Sequence, residues 1–158
     1  MNNTKYHIAQ LNIARMSGKN IDELAMADFV AQLDEINLLA EKSEGFIWRL
    51  KSDDGNATSY NPYNDNRLII NFSVWQNAGD LKNFVYNSVH VVVMKNRKKW
   101  FENFGQPYYV LWNISPGFIP SIDEAVERLA YMQKHGPSEN AFDFKNIFYP
   151  IEKVKYDK

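Results

Sequence analysis

There is no cysteine among the 158 residues. That absence excludes disulfides, thiolate-ligated zinc and cysteine nucleophiles, and it fits a reducing cytoplasm. There is also no excess of charge of one sign. The formal net charge is −1, so neither nucleic acid nor an acidic membrane surface is an expected partner. Long hydrophobic runs are missing too. No segment approaches the roughly 18 apolar residues of a membrane helix, and the opening MNNTKYHIAQLNIAR has no apolar stretch of signal-peptide length. A soluble, cytoplasmic protein is expected. Glycine-rich phosphate loops, nucleophile elbows and HExxH motifs do not occur. The DDGN at 53–56 lacks the ligand spacing of an EF-hand and reads as a turn, so no metal site is expected.

What is present is a globular composition rich in aromatics: 45% hydrophobic, 23% charged and 15% aromatic residues, enough for one domain over residues 1–158 with one core. Residues 7–14 alternate as a strand, with Ala9, Leu11 and Ile13 on one side and Gln10 and Asn12 on the other. Residues 26–42 have helical periodicity, with Phe29, Val30, Leu33, Ile36 and Ala40 as the inward stripe and Gly45 placed for a left-handed cap. Residues 46–51 read as a second strand, with Phe46, Trp48 and Leu50 on one face and Ile47 and Arg49 on the other. A long polar connection leads to a third strand at 68–75, where Asn71 and Ser73 interrupt the face opposite Leu68, Ile70, Phe72 and Val74. Residues 80–101 read as helical and 108–114 as a fourth strand. Ser121 is placed to cap a last helix over 122–135, with Glu124 in the capping-box position, Val126, Leu129 and Ala130 inward, and Gly136-Pro137 as the stop. Phe142, Phe144, Ile147 and Phe148 are expected to dock on the core, and the last residues to fray. The order β-α-β-β-α-β with an added helix is the ferredoxin-like pattern of an α+β fold.

The stretch FVYNSVHVVVMKNRKKWF at 84–101 holds the sharpest candidate site. Tyr86, His90, Val93, Arg97, Trp100 and Phe101 recur at steps of three and four and share one helix face. A histidine and an arginine on an apolar face need partners, because a buried charge is costly unless paired. In one reading Arg97 clamps an anionic group such as a carboxylate or enolate, and His90 is a general acid or base or a metal ligand. In the other, His90 donates to a backbone carbonyl and Arg97 pairs with Asp34 or Glu35. Lys95, Lys98 and Lys99 read as a solvated outer face. Neighbours on a strand point to opposite sides, so Trp48 and Arg49 divide between two roles. Trp48 facing the helices would make a pocket wall with Trp100 and leave Arg49 to a dimer interface; otherwise the two are core packing and a surface charge. The mixed faces carrying Gln10, Asn12, Arg49, Asn71, Ser73 and Asn113 would line either a wet cavity for a small polar ligand or a hydrogen-bonded dimer interface. The interface is the preferred assignment at this point.

The strings AQLNIARM (9–16), MADFVAQLDEIN (26–37), GFIWRL (45–50), NFSVW (71–75), YVLWNI (109–114) and KHGP (134–137), with the 84–101 stretch, resemble a bacterial family, domain of unknown function 3291, over residues 7–148. That family is similar to the dimeric α+β barrel superfamily of antibiotic-biosynthesis monooxygenases and haem-degrading monooxygenases. The resemblance implies ferredoxin-like subunits paired sheet to sheet as a homodimer, with a pocket between sheet and helices. It brings no established activity. The leading functional reading is a small cytoplasmic enzyme, monooxygenase-like or isomerase-like, acting on a small organic molecule. In that setting His90 and Arg97 would carry the chemistry, and Trp48, Arg49, Asn71 and Trp100 would bind the ligand. The alternatives are a non-catalytic ligand-binding or scaffold protein, and a haem-binding protein with His90 as the iron ligand.

Overall fold

The computed structural model describes residues 6–51, 58, 60–87 and 97–150. Four strands carry the fold: β1 (His7–Arg15), β2 (Phe46–Arg49), β3 (Leu68–Trp75) and β4 (Tyr109–Ile114). They form one antiparallel sheet in the order β2-β3-β1-β4. Helix α1 (Ala27–Glu41) joins β1 to β2, and α2 (Ala78–Asn87) follows β3. A four-residue helix, α3 (Arg97–Trp100), precedes β4, and α4 (Ile122–His135) follows it. The turn at 53–56, His90 and the last five residues, all assigned from sequence, lie outside the described residues, and so does the Arg97 side chain.

The alternation in β1 and β3 sets two different sheet faces. On one, Leu11, Ile13, Phe72, Val74, Val110 and Trp112 are buried and continuous with Ala125, Leu129 and Met132 of α4. Each such large apolar side chain contributes about 1.5–3 kcal/mol when fully buried, and this face is almost purely apolar. On the other, Ile8, Ala14, Trp75 and Leu111 pack under Phe29, Ile36 and Ala40 of α1 and Leu81 and Phe84 of α2. The sheet is thus covered on both sides by its own chain. Sheet-to-sheet pairing with a second copy would need the apolar face that α4 occupies.

Four local assignments are corrected. Val30 is 40% exposed, and the buried face of α1 instead takes in Asn37. Ala130 is exposed, and Ala125 and Met132 flank Leu129 on the inward side of α4. Gly45 has a φ of +82°, yet α1 ends earlier, with Lys42 as its C-cap in the right-handed region. Gly45 serves the turn into β2, where an added Cβ would lie 2.1 Å from Asp80 Oδ2. The fourth correction is a β-bulge between Phe46 and Trp48. Phe46 pairs with Trp75, Trp48 with Val74 and Arg49 with Ser73. An extra residue on one strand reverses the facing of everything beyond it, so Phe46 and Trp48 lie on opposite faces.

The last segment extends the sheet edge. Leu111 and Phe142 exchange both backbone hydrogen bonds, at 2.7 and 2.9 Å, and Phe142 is fully buried. Among the described residues no helix is long and apolar enough to cross a membrane.

Candidate functional site

The polar interruptions of the strands all point to the α1–α2 side. Strand register places them in two adjacent rows. Arg49, Ser73, Gln10 and Leu111 are paired in succession across β2, β3, β1 and β4. Asn71, Asn12 and Tyr109 form the next row. Neighbouring strands are about 4.8 Å apart, and same-face residues along one strand about 6.7 Å apart. These side chains therefore make one polar patch in the middle of an otherwise apolar face.

Above the patch is a cavity of about 180 Å³. Its walls are mostly apolar, with Phe29, Leu33 and Ile36 from α1 and Leu81, Phe84 and Val85 from α2, and Asn37 and Tyr86 are their polar members. Its floor is Gln10, Asn12, Asn71 and Ser73, with Arg49 and Tyr109 at its sides. The volume is close to that of an engineered cavity of about 150 Å³ that holds benzene. It has room for one ring-sized molecule. A haem, with four pyrrole rings, exceeds the volume that the described residues bound.

The floor is held by hydrogen bonds among its own members. Gln10 Nε2 donates to Asn71 Oδ1 at 2.6 Å and to Ser73 Oγ at 2.8 Å. The amide orientation follows from a third contact, Gln10 Nε2 to the Asn71 backbone carbonyl at 3.4 Å, since a carbonyl only accepts. Ser73 Oγ also accepts from Trp75 Nε1 at 2.9 Å. At one side Arg49 donates through Nε to Glu41 Oε1 at 2.9 Å, and the Arg49 side chain is only 12% exposed. Lys51 Nζ is 3.7 Å from the same carboxylate oxygen, so two cations share one anion. On the opposite side Tyr109 Oη accepts from the Phe144 N–H at 3.2 Å. Burial pushes the Tyr109 phenol up to about 12, which keeps it protonated at neutral pH.

The site residues read from sequence are distributed as follows. Arg49 and Asn71 line the cavity. Trp48 does not face it: the bulge turns it to the apolar side, against Phe72 with ring centroids 5.1 Å apart. Arg49 accordingly takes the inward position that the sequence had offered to Trp48. Trp100 is buried beside Phe29 at 5.7 Å, and the wall there is its neighbour Phe101. His90 and the Arg97 side chain lie outside the described residues. Of the mixed faces, Gln10, Asn12, Arg49, Asn71 and Ser73 line this cavity beside the subunit's own helices, and Asn113 donates to the Phe148 carbonyl at 2.7 Å. Two participants went unread. Glu41 is the last residue of a helix whose distance from Arg49 depends on how α1 crosses the sheet, and Tyr109 sits in a run of aromatics whose alternation alone does not mark it. Among the described residues no group of three or more His, Asp or Glu side chains is placed to hold a metal ion.

Comparison with known proteins gives one family. The model of a family described as Domain of unknown function (DUF3291) matches residues 7–157. No curated protein matches the chain. Among solved structures, the crystal structure of NE2512, a protein of unknown function from Nitrosomonas europaea, is similar at 16% identity with a TM-score of 0.45. The similarity covers 74% of this chain and 97% of that one.

Proposed function

The chain belongs to the DUF3291 family, and from that premise we propose that it binds one small organic molecule between the polar sheet face and helices α1 and α2. The observation that carries this reading is the polar floor under an apolar chamber. A sheet face packed on helices is most stable with apolar residues, and buried amides and hydroxyls cost stability unless hydrogen-bonded. Here the buried Gln10 and Ser73 are hydrogen-bonded to each other, and Gln10 also to the exposed Asn71, beside an open volume. An apolar cavity with a few convergent polar groups is the usual form of a small-molecule site.

Monooxygenase-like or isomerase-like chemistry, expected from the sequence, calls for a proton-transfer or redox group. The described lining offers amides, the hydroxyls of Thr58 and Ser73, three phenols and a guanidinium, groups suited to binding and orienting, so binding is the function proposed. We read the topology as ferredoxin-like. Its support is the order β2-β3-β1-β4, in which every neighbouring pair is antiparallel. A homodimer formed by pairing of sheets is left out of the proposal, because α4 covers the apolar face.

Trp75 lies in the cavity wall, which makes tryptophan fluorescence a direct test. Titration with 3-phenylpropanoate and 3-phenylpropan-1-ol is expected to give a saturable change at one site per chain for at least one of them. Ala40→Phe, which fills the chamber from α1, is expected to weaken that binding at least ten-fold, at a stability cost of about 1–3 kcal/mol from overpacking. Unsaturable titrations for both compounds, or identical binding by wild type and a folded Ala40→Phe, would contradict the reading.

A further inference from the structure

We infer that the occupant is a compact apolar monocarboxylate, one ring or a short branched chain bearing a single carboxylate, with its head at the Arg49–Ser73 end of the floor. The inference rests on the binding reading above and goes on to name the ligand's chemistry.

Hydrogen bonds within the protein already use part of the floor's capacity. Ser73 Oγ accepts two hydrogen bonds, from Gln10 Nε2 and Trp75 Nε1. A hydroxyl has two acceptor positions and one donor, so Ser73 has its O–H left to give. Tyr109 Oη accepts from the Phe144 N–H, and the phenol keeps its proton, so it too has a donor to give. Asn71 Oδ1 accepts from Gln10, leaving the Nδ2 hydrogens. Arg49 uses Nε on Glu41, and its two terminal nitrogens have no partner among the described residues. Arg49 and Ser73 are paired across β2 and β3, and at that end of the floor the groups left over are donors, the terminal guanidinium nitrogens and the Ser73 O–H. A ligand head that complements this end presents acceptors.

Charge narrows the class further. Among the described residues Glu41 is the carboxylate in contact with Arg49, and it is shared with Lys51. No Asp or Glu lines the cavity among its described residues. The guanidinium is therefore incompletely neutralised and 12% exposed, in a setting where charge-assisted bonds to a carboxylate are strongest. Glu41 holds the guanidinium by its Nε edge, which leaves the terminal edge for a second carboxylate. The rest of the chamber is mostly apolar, with Phe, Leu, Ile, Val, Ala and Trp side chains beside Asn37 and two tyrosines, which sets the apolar body, and about 180 Å³ limits it to one ring with a short arm.

Isothermal titration calorimetry on the full chain, at neutral pH, with 3-phenylpropanoate, 3-phenylpropan-1-ol and 3-phenylpropan-1-amine tests this. The three share one body and differ in the head. The carboxylate is expected to bind at least ten-fold more tightly than the alcohol, and the amine more weakly than either. In Arg49→Met the carboxylate and the alcohol are expected to bind alike. The wild-type series decides by itself if that variant does not fold. Equal binding of carboxylate and alcohol by wild type, or preference for the amine, would overturn the ligand class and leave the cavity a binding site. Absence of binding by all three would overturn both readings.

Discussion

Ser73 shows how one side chain joins stability and site. Its hydroxyl oxygen ties the floor, through Gln10, to a cavity wall, through Trp75. Ser73→Ala removes the acceptor of the buried Trp75 Nε1–H and one of the Gln10 Nε2 bonds, and an unpaired buried donor costs about 1–3 kcal/mol. Urea denaturation is expected to show a loss in that range, with the m-value unchanged. Tyr109 adds a pH dependence. Its folded-state pKa is about 12 against an ordinary value of 10.0, with burial as the main cause. The folded chain therefore favours the protonated phenol. That contribution is fully present below pH 10 and is lost as pH rises from about 10 toward 12. Urea midpoints measured from pH 9 to 11 are expected to fall less in Tyr109→Phe than in wild type. Parallel curves would show that the phenol carries no such linkage.

Helices and strands differ in how far they were legible. Strand β3 and helix α4 were readable to the residue, because strict alternation in one and a capping box with a terminal Gly-Pro in the other are local signals. Ser121 does accept from the Glu124 N–H, at 3.1 Å, and Gly136 closes the helix with a φ of +74°. Ser121→Ala is expected to cost about 1 kcal/mol, lowering the thermal midpoint. Since α4 covers Trp112 and the apolar sheet face, the loss should appear in global unfolding rather than as local fraying. Strand β2 was legible in its place and not in its facing. The bulge at Ile47 depends on pairing with β3, and two-residue periodicity carries no trace of it, so Trp48 and Phe46 were put on the same side. Val30 and Asn37 show the same limit in α1: their exposure depends on the angle at which the helix crosses the sheet, and a helical stripe does not define that angle.

At the scale of the whole molecule the sheet works as a partition. Its apolar face, sealed by α4, supplies the continuous hydrophobic core. Its other face gives up packing around Gln10, Asn12, Asn71 and Ser73 and keeps a chamber under α1 and α2. The polar interruptions were visible in the sequence as a pattern. Their convergence was not, because it requires the order β2-β3-β1-β4 to bring Arg49, Ser73 and Gln10 into one row. The most direct test is an amide chemical-shift map of the isotopically labelled chain, recorded with and without 3-phenylpropanoate. The account predicts that saturable shifts cluster on Gln10, Asn12, Asn71 and Ser73 and on the facing turns of α1 and α2, with α4 unchanged. Shifts concentrated on α4 and the apolar face, or scattered over the surface without saturation, would contradict it.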